Sequence, residues 1–194
     1  MPKRYILVLV IIAVVFFGGI ALIVSILRGG NRNEKVAQTT ASQTVKKNDL
    51  SSDAAQVQYT QIGSVVGEED RRSIRITITP SERKIDIIRG YNEEVISSKT
   101  TGNNIAAFQA FTLALESAGF TSINSEIKTD EKAACVTGVR YAYDVAYTSG
   151  DKQHSWSSSC GNLDGNFTGN RGLVATLFRD QIPDYNRTVS GVRL

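Results

Sequence analysis

Residues 73–100 read SIRITITPSERKIDIIRGYNEEVISSKT, and their pattern sets the class of the folded part. Ile74, Ile76 and Ile78 alternate with Arg75, Thr77 and Thr79, the period of two expected of a strand with one buried face. Pro80-Ser81-Glu82 carries turn chemistry, and residues 84–89 alternate again through Ile85 and Ile87. Gly90-Tyr91-Asn92 marks the next turn, before a weaker strand over residues 94–100. Strands this close together, joined by short turns, predict a three-stranded antiparallel meander.

Downstream the period changes. Gly102-Asn103-Asn104 opens a helix whose Ile105, Phe108, Phe111, Thr112 and Leu115 recur at helical spacing, with Gly119 as the residue after its C-cap. Residues 121–132 are polar, and Ile123 and Ile127 suggest only a short strand there. Residues 136–147 carry the strongest strand pattern, with Val139, Tyr141, Tyr143, Val145 and Tyr147 on one face and Arg140 and Asp144 on the other. After a turn at Ser149-Gly150-Asp151, residues 153–160 return as a strand bearing Trp156. Asn170 or Gly169 caps a second helix with an apolar stripe of Leu173, Val174, Leu177, Phe178 and Ile182, stopped by Pro183. Residues 188–194 are expected to add an edge strand. No strand–helix–strand alternation and no fixed-period repeat is present. The expected class is α+β, a small antiparallel sheet with two helices packed on one face.

Upstream of this domain, residues 5–27 (YILVLVIIAVVFFGGIALIVSIL) run without one charge. At ~1.5 Å rise per residue such a helix spans the hydrocarbon core of a bilayer. Lys3 and Arg4 before it and Arg28 after it reach the two headgroup layers. The run is too long for the apolar part of a cleaved signal peptide, and Arg28-Gly29-Gly30-Asn31 is no small-x-small cleavage site. We therefore expect residues 1–28 to be a retained membrane anchor, one N-terminal transmembrane helix whose partner is the lipid bilayer. Residues 29–58 lack aromatic and periodic apolar residues and are rich in Gln, Thr, Ser, Ala, Asn and Lys, the composition of a flexible linker. Residues 59–194 are left as the soluble domain.

The net charge of +3 is unevenly placed. Seven basic and three acidic residues lie within residues 1–55, beside the expected membrane; the other fifteen basic and sixteen acidic residues leave the domain at −1. A domain without a basic surplus is a poor candidate for nucleic-acid binding. The positive-inside count alone favours a cytoplasmic domain, but a four-residue N-terminal tail gives it little to act on. Two cysteines in a small domain favour the oxidising side. The expectation is a single-pass protein of the cell membrane with its C-terminal domain outside the cytoplasm.

Cys135 and Cys160 are the only cysteines and form the candidate disulfide. A tight turn at Gly150-Asp151 would put Cys160 opposite Tyr141, about 20 Å from Cys135 along a straight strand, whereas a disulfide needs Cα atoms within ~7 Å. The bond therefore needs residues 133–138 to bend back over the sheet, which Gly138 allows, or a wider hairpin loop. His154 is the only histidine. It lies six residues from Cys160 on one strand, too far for a thiol–imidazole pair, and is expected to be an exposed hairpin residue.

Residues 161–172 (GNLDGNFTGNRG) place Asn162, Asp164 and Asn166 at the alternate spacing of a calcium loop. An EF-hand would need Gly at Phe167 and Glu at Leu173, so an Asn/Gly-rich turn entering a helix fits better. An anion at that helix N-terminus, helped by Arg171, is the alternative. Asn166-Phe167-Thr168 and Asn186-Arg187-Thr188 match the glycosylation sequon, a short motif that arises readily by chance. Tyr141, Tyr143, Tyr147 and Trp156 read as sheet core and, if exposed, as ligand-facing aromatics. No catalytic, cofactor-binding or metal-binding residue is expected. The functional expectation is a non-catalytic domain that binds an envelope component or a partner protein. Its alternatives are a structural subunit of an envelope assembly and an extracytoplasmic hydrolase using Asp144, Asp164 or Cys160.

Overall fold

The alternation in residues 73–100 builds what it predicts: β2 (Arg72–Ile78), β3 (Glu82–Arg89) and β4 (Glu94–Gly102) pair antiparallel in sequence. The computed structural model describes residues 49–127, 130–161 and 165–194; the expected membrane span and most of the expected linker lie outside the described residues. Among the described residues no helix is long and apolar enough to cross a membrane. They fall within a unit running Lys46–Leu194.

Residues 49–58 are structured, although their composition reads as linker. A short helix α1 (Leu50–Asp53), capped by Asp49, leads into β1 (Ala54–Ile62). β1 is central, pairing antiparallel with β2 on one side and with β5 (Arg140–Tyr147) on the other. Its burial comes from its neighbours. Only Val57 and Tyr59 mark its inward face as apolar, and Gln61 completes that face, so the two-residue period was too weak to show in the sequence. β6 (Lys152–Ser158) pairs with β5 and completes a six-stranded sheet among the described residues, ordered β4-β3-β2-β1-β5-β6.

Both predicted helices form. α2 (Ile105–Ser117) is capped by the Asn104 side chain, which accepts from Ala107 N–H at 2.9 Å, and Gly119 follows at φ 75°. α3 (Arg171–Asp180) is capped by Asn170, accepting from Leu173 N–H at 3.0 Å. Leu173 itself is exposed, and Val174, Ala175 and Phe178 make the buried stripe. The final segment is not an edge strand. It forms a short helix α4 (Tyr185–Thr188) and then coils, with Val192 and Leu194 packed against the core. Ile123 contributes one bridge, to Phe167, rather than a strand.

The helices cover one face of the sheet. Val57, Tyr59, Ile76, Ile85 and Tyr143 share a core with Phe108, Phe111 and Leu115 of α2 and Val174 and Phe178 of α3. Phe178 is its hub, edge-on to Phe111 at 5.2 Å and against Tyr59 at 5.5 Å. Such aromatic pairs add roughly 0.5–1.5 kcal/mol each beyond the area they bury. Beneath α3, Gly169 lies so close to the Gly119 carbonyl and the Phe167 ring that any Cβ would overlap both.

Cys135 and Cys160 are disulfide-bonded, with Cα atoms 5.6 Å apart. Two adjustments reconcile the bond with the hairpin. The hairpin turns earlier than Gly150-Asp151, with Tyr147 N–H donating to Asp151 O at 2.9 Å, so Tyr141 faces Ser157 rather than Cys160. Residues 135–138 also make a turn closed by Gly138 N–H to Cys135 O at 3.2 Å, with Cys135 at φ 53°. A Cβ on Gly138 would meet both sulfurs, so only glycine leaves room for the bond here.

Candidate binding cleft on the open face of the sheet

The period of two that buries one face presents the other. Gln58, Thr60 and Ile62 of β1, Ser73 and Arg75 of β2, Ile88 of β3, Arg140, Ala142 and Asp144 of β5 and His154 of β6 share the side that the helices leave open. A 3-10 turn, Glu131–Ala133, lies over part of this face, because two open-face side chains hold it. Arg140 Nη1 donates to Glu131 O at 2.8 Å and to Lys132 O at 3.3 Å, and His154 Nε2 lies 2.8 Å from the Glu131 carboxylate. Between turn, strands and the segment bearing Arg71 lies a cleft of ≈ 310 Å³. A hollow of ≈ 790 Å³ between α3 and α4 is larger, but it is shallow and lined mostly by exposed chains such as Asn186 and Arg187.

His154 is held by two carboxylates. Nδ1 is 2.6 Å from Asp144 Oδ1, directly across the β5–β6 ladder, and Nε2 engages Glu131. Hydrogen bonding to Asp144 first, and then to Glu131, raises its pKa to about 10. It is therefore an imidazolium near neutrality, a poor general base and a good staple between the sheet and the turn. Its side chain is half exposed, in keeping with the expectation of an exposed hairpin residue, and the two carboxylates are partners the sequence did not reveal.

The arginines are less well matched. Arg140 is only 5% exposed, yet among the described residues it forms no ion pair; its two bonds go to backbone carbonyls and its Nε is buried without a partner there. Burial, and to a lesser degree the nearby Arg71, press its pKa down. Arg71 donates Nη1 to Gly90 O at 2.9 Å and stacks its guanidinium 4.2 Å from the Tyr91 ring centre, again with a buried, unpartnered Nε. Arg75 bonds Glu93 through Nη2, and its Nε is likewise buried without a partner. On the floor, Thr60 and Ser73 are buried and their hydroxyls make no hydrogen bond among the described residues. The lining thus holds five cationic groups (Arg71, Arg75, Lys132, Arg140 and protonated His154) against three carboxylates (Glu93, Glu131 and Asp144).

The candidate residues read from the sequence do not gather here. Tyr143 and Tyr147 are buried on the helix-covered face, and Tyr141 lies beside them, stacked on Tyr59 at 6.4 Å. Trp156 pairs with Ala142 and so belongs to the opposite face, only 4% exposed. These four rings form no common ligand platform. Both sulfurs of Cys135 and Cys160 are bonded, which removes a thiol nucleophile. Asn162 and Asp164 lie outside the described residues, and Asn166 Oδ1 accepts the Trp156 N–H at 2.9 Å. Arg171 turns away from its helix N-terminus, donating to Ser158 O and stacking over Tyr141. Among the described residues no three His, Cys, Asp or Glu side chains are grouped to hold a metal.

Arg71, Arg75, Glu131 and Lys132 are the cleft residues that sequence reading passed over. One signal was present: Arg75 and Arg140 both occupy the polar phase of a strong strand pattern. Comparison with family models finds no match, and no match is found among curated proteins or among solved structures.

Proposed function

We propose that the chain is a membrane-anchored, extracytoplasmic, non-catalytic binding protein whose open sheet face receives an envelope component or a partner protein. The observation that carries this is the cleft, where hydroxyls and guanidinium groups stand on paired strands and several donors lack acceptors. A site on strands is held more rigidly than one on loops, which suits recognition. Among the described residues the one histidine is an imidazolium clamped between two carboxylates and both cysteines are closed in a disulfide, which speaks for binding over hydrolysis. The uncharged run of residues 5–27 supports the anchor, and the disulfide supports the outward orientation.

The test is hydroxyl-radical footprinting of the full chain in its native membranes and after purification in detergent. The expected result is protection of His154 and Tyr91, beside the cleft, in the membranes only. Ile105 and Leu113, exposed on α2, should react equally in both settings. Equal reactivity of all four would sink the open face as the binding surface. Digestion of the domain by protease added to intact cells checks the orientation, and full protection until lysis would reverse it.

A structural role in an envelope assembly keeps one supporting observation. The outer edge of β4 is unpaired and nearly every residue of it exposed, whereas the outer edge of β6 is met by Phe167 N–H to Trp156 O at 3.0 Å.

A further inference from the structure

We infer that the cleft is an oxyanion site, taking a phosphate or carboxylate group between Arg71, Arg75 and Arg140. This rests on the open face being the binding surface and names the chemistry it selects. A guanidinium nine-tenths buried is costly unless an anion or a full set of acceptors compensates it. Among the described residues Arg140 forms no ion pair and lacks a full set of acceptors: its bonds are the two to Glu131 O and Lys132 O, and the Glu131 carboxylate favours its charge only from beyond ion-pair distance. The Glu131 carboxylate offsets part of the cost of burial and the nearby Arg71 adds to it, and the balance stays against the charged form. Three arginines each leave an Nε unmatched, and all three line one cleft. Of the carboxylates there, Glu131 and Asp144 are bonded to His154 and Glu93 already pairs with Arg75 through Nη2, so among the described residues Arg71 and Arg140 are the two cleft arginines without an ion pair. The missing element is therefore an acceptor with negative charge and several oxygens, which guanidinium groups bind in charge-assisted, forked pairs. Thr60 and Ser73 add hydroxyl donors on the floor.

A lipid headgroup and a free anion share this chemistry. The experiment titrates the full chain in non-ionic detergent with sodium phosphate and sodium acetate, against sodium chloride at equal ionic strength. Trp156, the single tryptophan, sits on the same face beside Ala142 and reports by fluorescence. The expected result is a saturable change with phosphate or acetate and none with chloride. Arg71→Gln and Arg75→Gln should each weaken it at least about tenfold. Arg71 is the informative choice, because it makes one backbone bond and is not buried as Arg140 is, so the variant keeps its fold. A repeat in nanodiscs separates the sources. Loss of the phosphate response in phosphatidylglycerol discs, but not in phosphatidylcholine discs, assigns the site to a headgroup; persistence in both assigns it to a free anion. A response no different from chloride, or one unchanged in Arg71→Gln, overturns the oxyanion site. The open-face reading would survive that result if the footprint protection remained.

Discussion

On the helix-covered face, Tyr59, Ile76 and Tyr143 lie side by side across three strands; one residue away along those strands, the open face carries Thr60, Arg75 and Ala142. The backbone is shared and the ladder hydrogen bonds are the same. What differs is how burial is compensated. Tyr59 and Ile76 are buried among rings and aliphatic chains that fill space, and Tyr143 adds a hydrogen bond to Ser157 at 2.9 Å. Thr60, Ser73 and Arg140 are nearly as buried, but their polar atoms are matched incompletely. Apolar packing is concentrated on one face, and among the described residues three of the four buried side-chain atoms without a partner, the arginine Nε atoms, line the cleft on the other; the fourth, Ser155 Oγ, is on the covered face. Mutations on the two faces should therefore separate folding from recognition.

The largest effect belongs to the hub of the covered face. Phe178→Ala removes a fully buried ring from contact with Tyr59, Phe111 and Phe120 and should cost about 3–5 kcal/mol, read as a drop in the denaturant midpoint of the full chain. A loss below ~1 kcal/mol would mean that the helix layer is not what holds the sheet.

Next comes the disulfide, which lies at the end of the hairpin rather than in either face. Its 25-residue separation gives ~3 kcal/mol in the chain-entropy model. Reduction should lower the melting temperature by roughly 6–12 °C for a domain of this size. Cys135→Ser and Cys160→Ser should match each other and the reduced protein. Two reactive thiols per chain, titrated in denaturant on protein taken from its native compartment, would contradict both the bond and the external location.

His154 should contribute modestly and with a definite pH dependence. Its pKa is raised from 6.5 to about 10, so the contribution is complete below pH 6.5 and is lost as pH rises through about 10. Half exposure screens the two ion pairs and keeps the size small. His154→Gln should be less stable than the parent at the acidic end of that window, with the gap closing toward its alkaline end. Parallel denaturation curves at both ends measure it. A gap that widens with pH would show that His154 is neutral in the fold.

Smallest of all is the open face. Arg71→Gln should leave stability within about 0.5 kcal/mol of the parent, because it removes one backbone bond and one stacking contact from a half-buried side chain whose Nε has no partner among the described residues to lose. A stability loss as large as that of Phe178→Ala would make the cleft part of the core and erase the contrast between the faces.

Local features carried most of the element list. Ile74, Ile76 and Ile78 announce β2; Asn104 and Asn170 mark the helix starts that they cap; Gly119 marks an end. Each is a relation among residues a few positions apart, and near-neighbour sterics and hydrogen bonding suffice to impose it. The proposed anchor at residues 5–27, outside the described residues, rests on the same kind of reading, a run of apolar residues set against bilayer thickness. The placement of β1 does not. Residues 54–58 are polar enough to pass for linker, and with residues 59–62 they become a central strand only because β2 and β5 both present apolar faces that Val57 and Tyr59 complete. Where Cys160 lies relative to Cys135 depended on where the hairpin turns and on one residue in the left-handed region, neither written in the strand periodicity. The cleft is more remote still. Arg71, Arg75, Glu131, Arg140 and His154 span more than eighty positions, and they meet because β1 brings the β2–β4 meander beside the β5–β6 hairpin. Strand order and register are long-range properties, set by which apolar faces cover one another once the chain collapses. A site that draws its charges from both halves exists only after that choice is made.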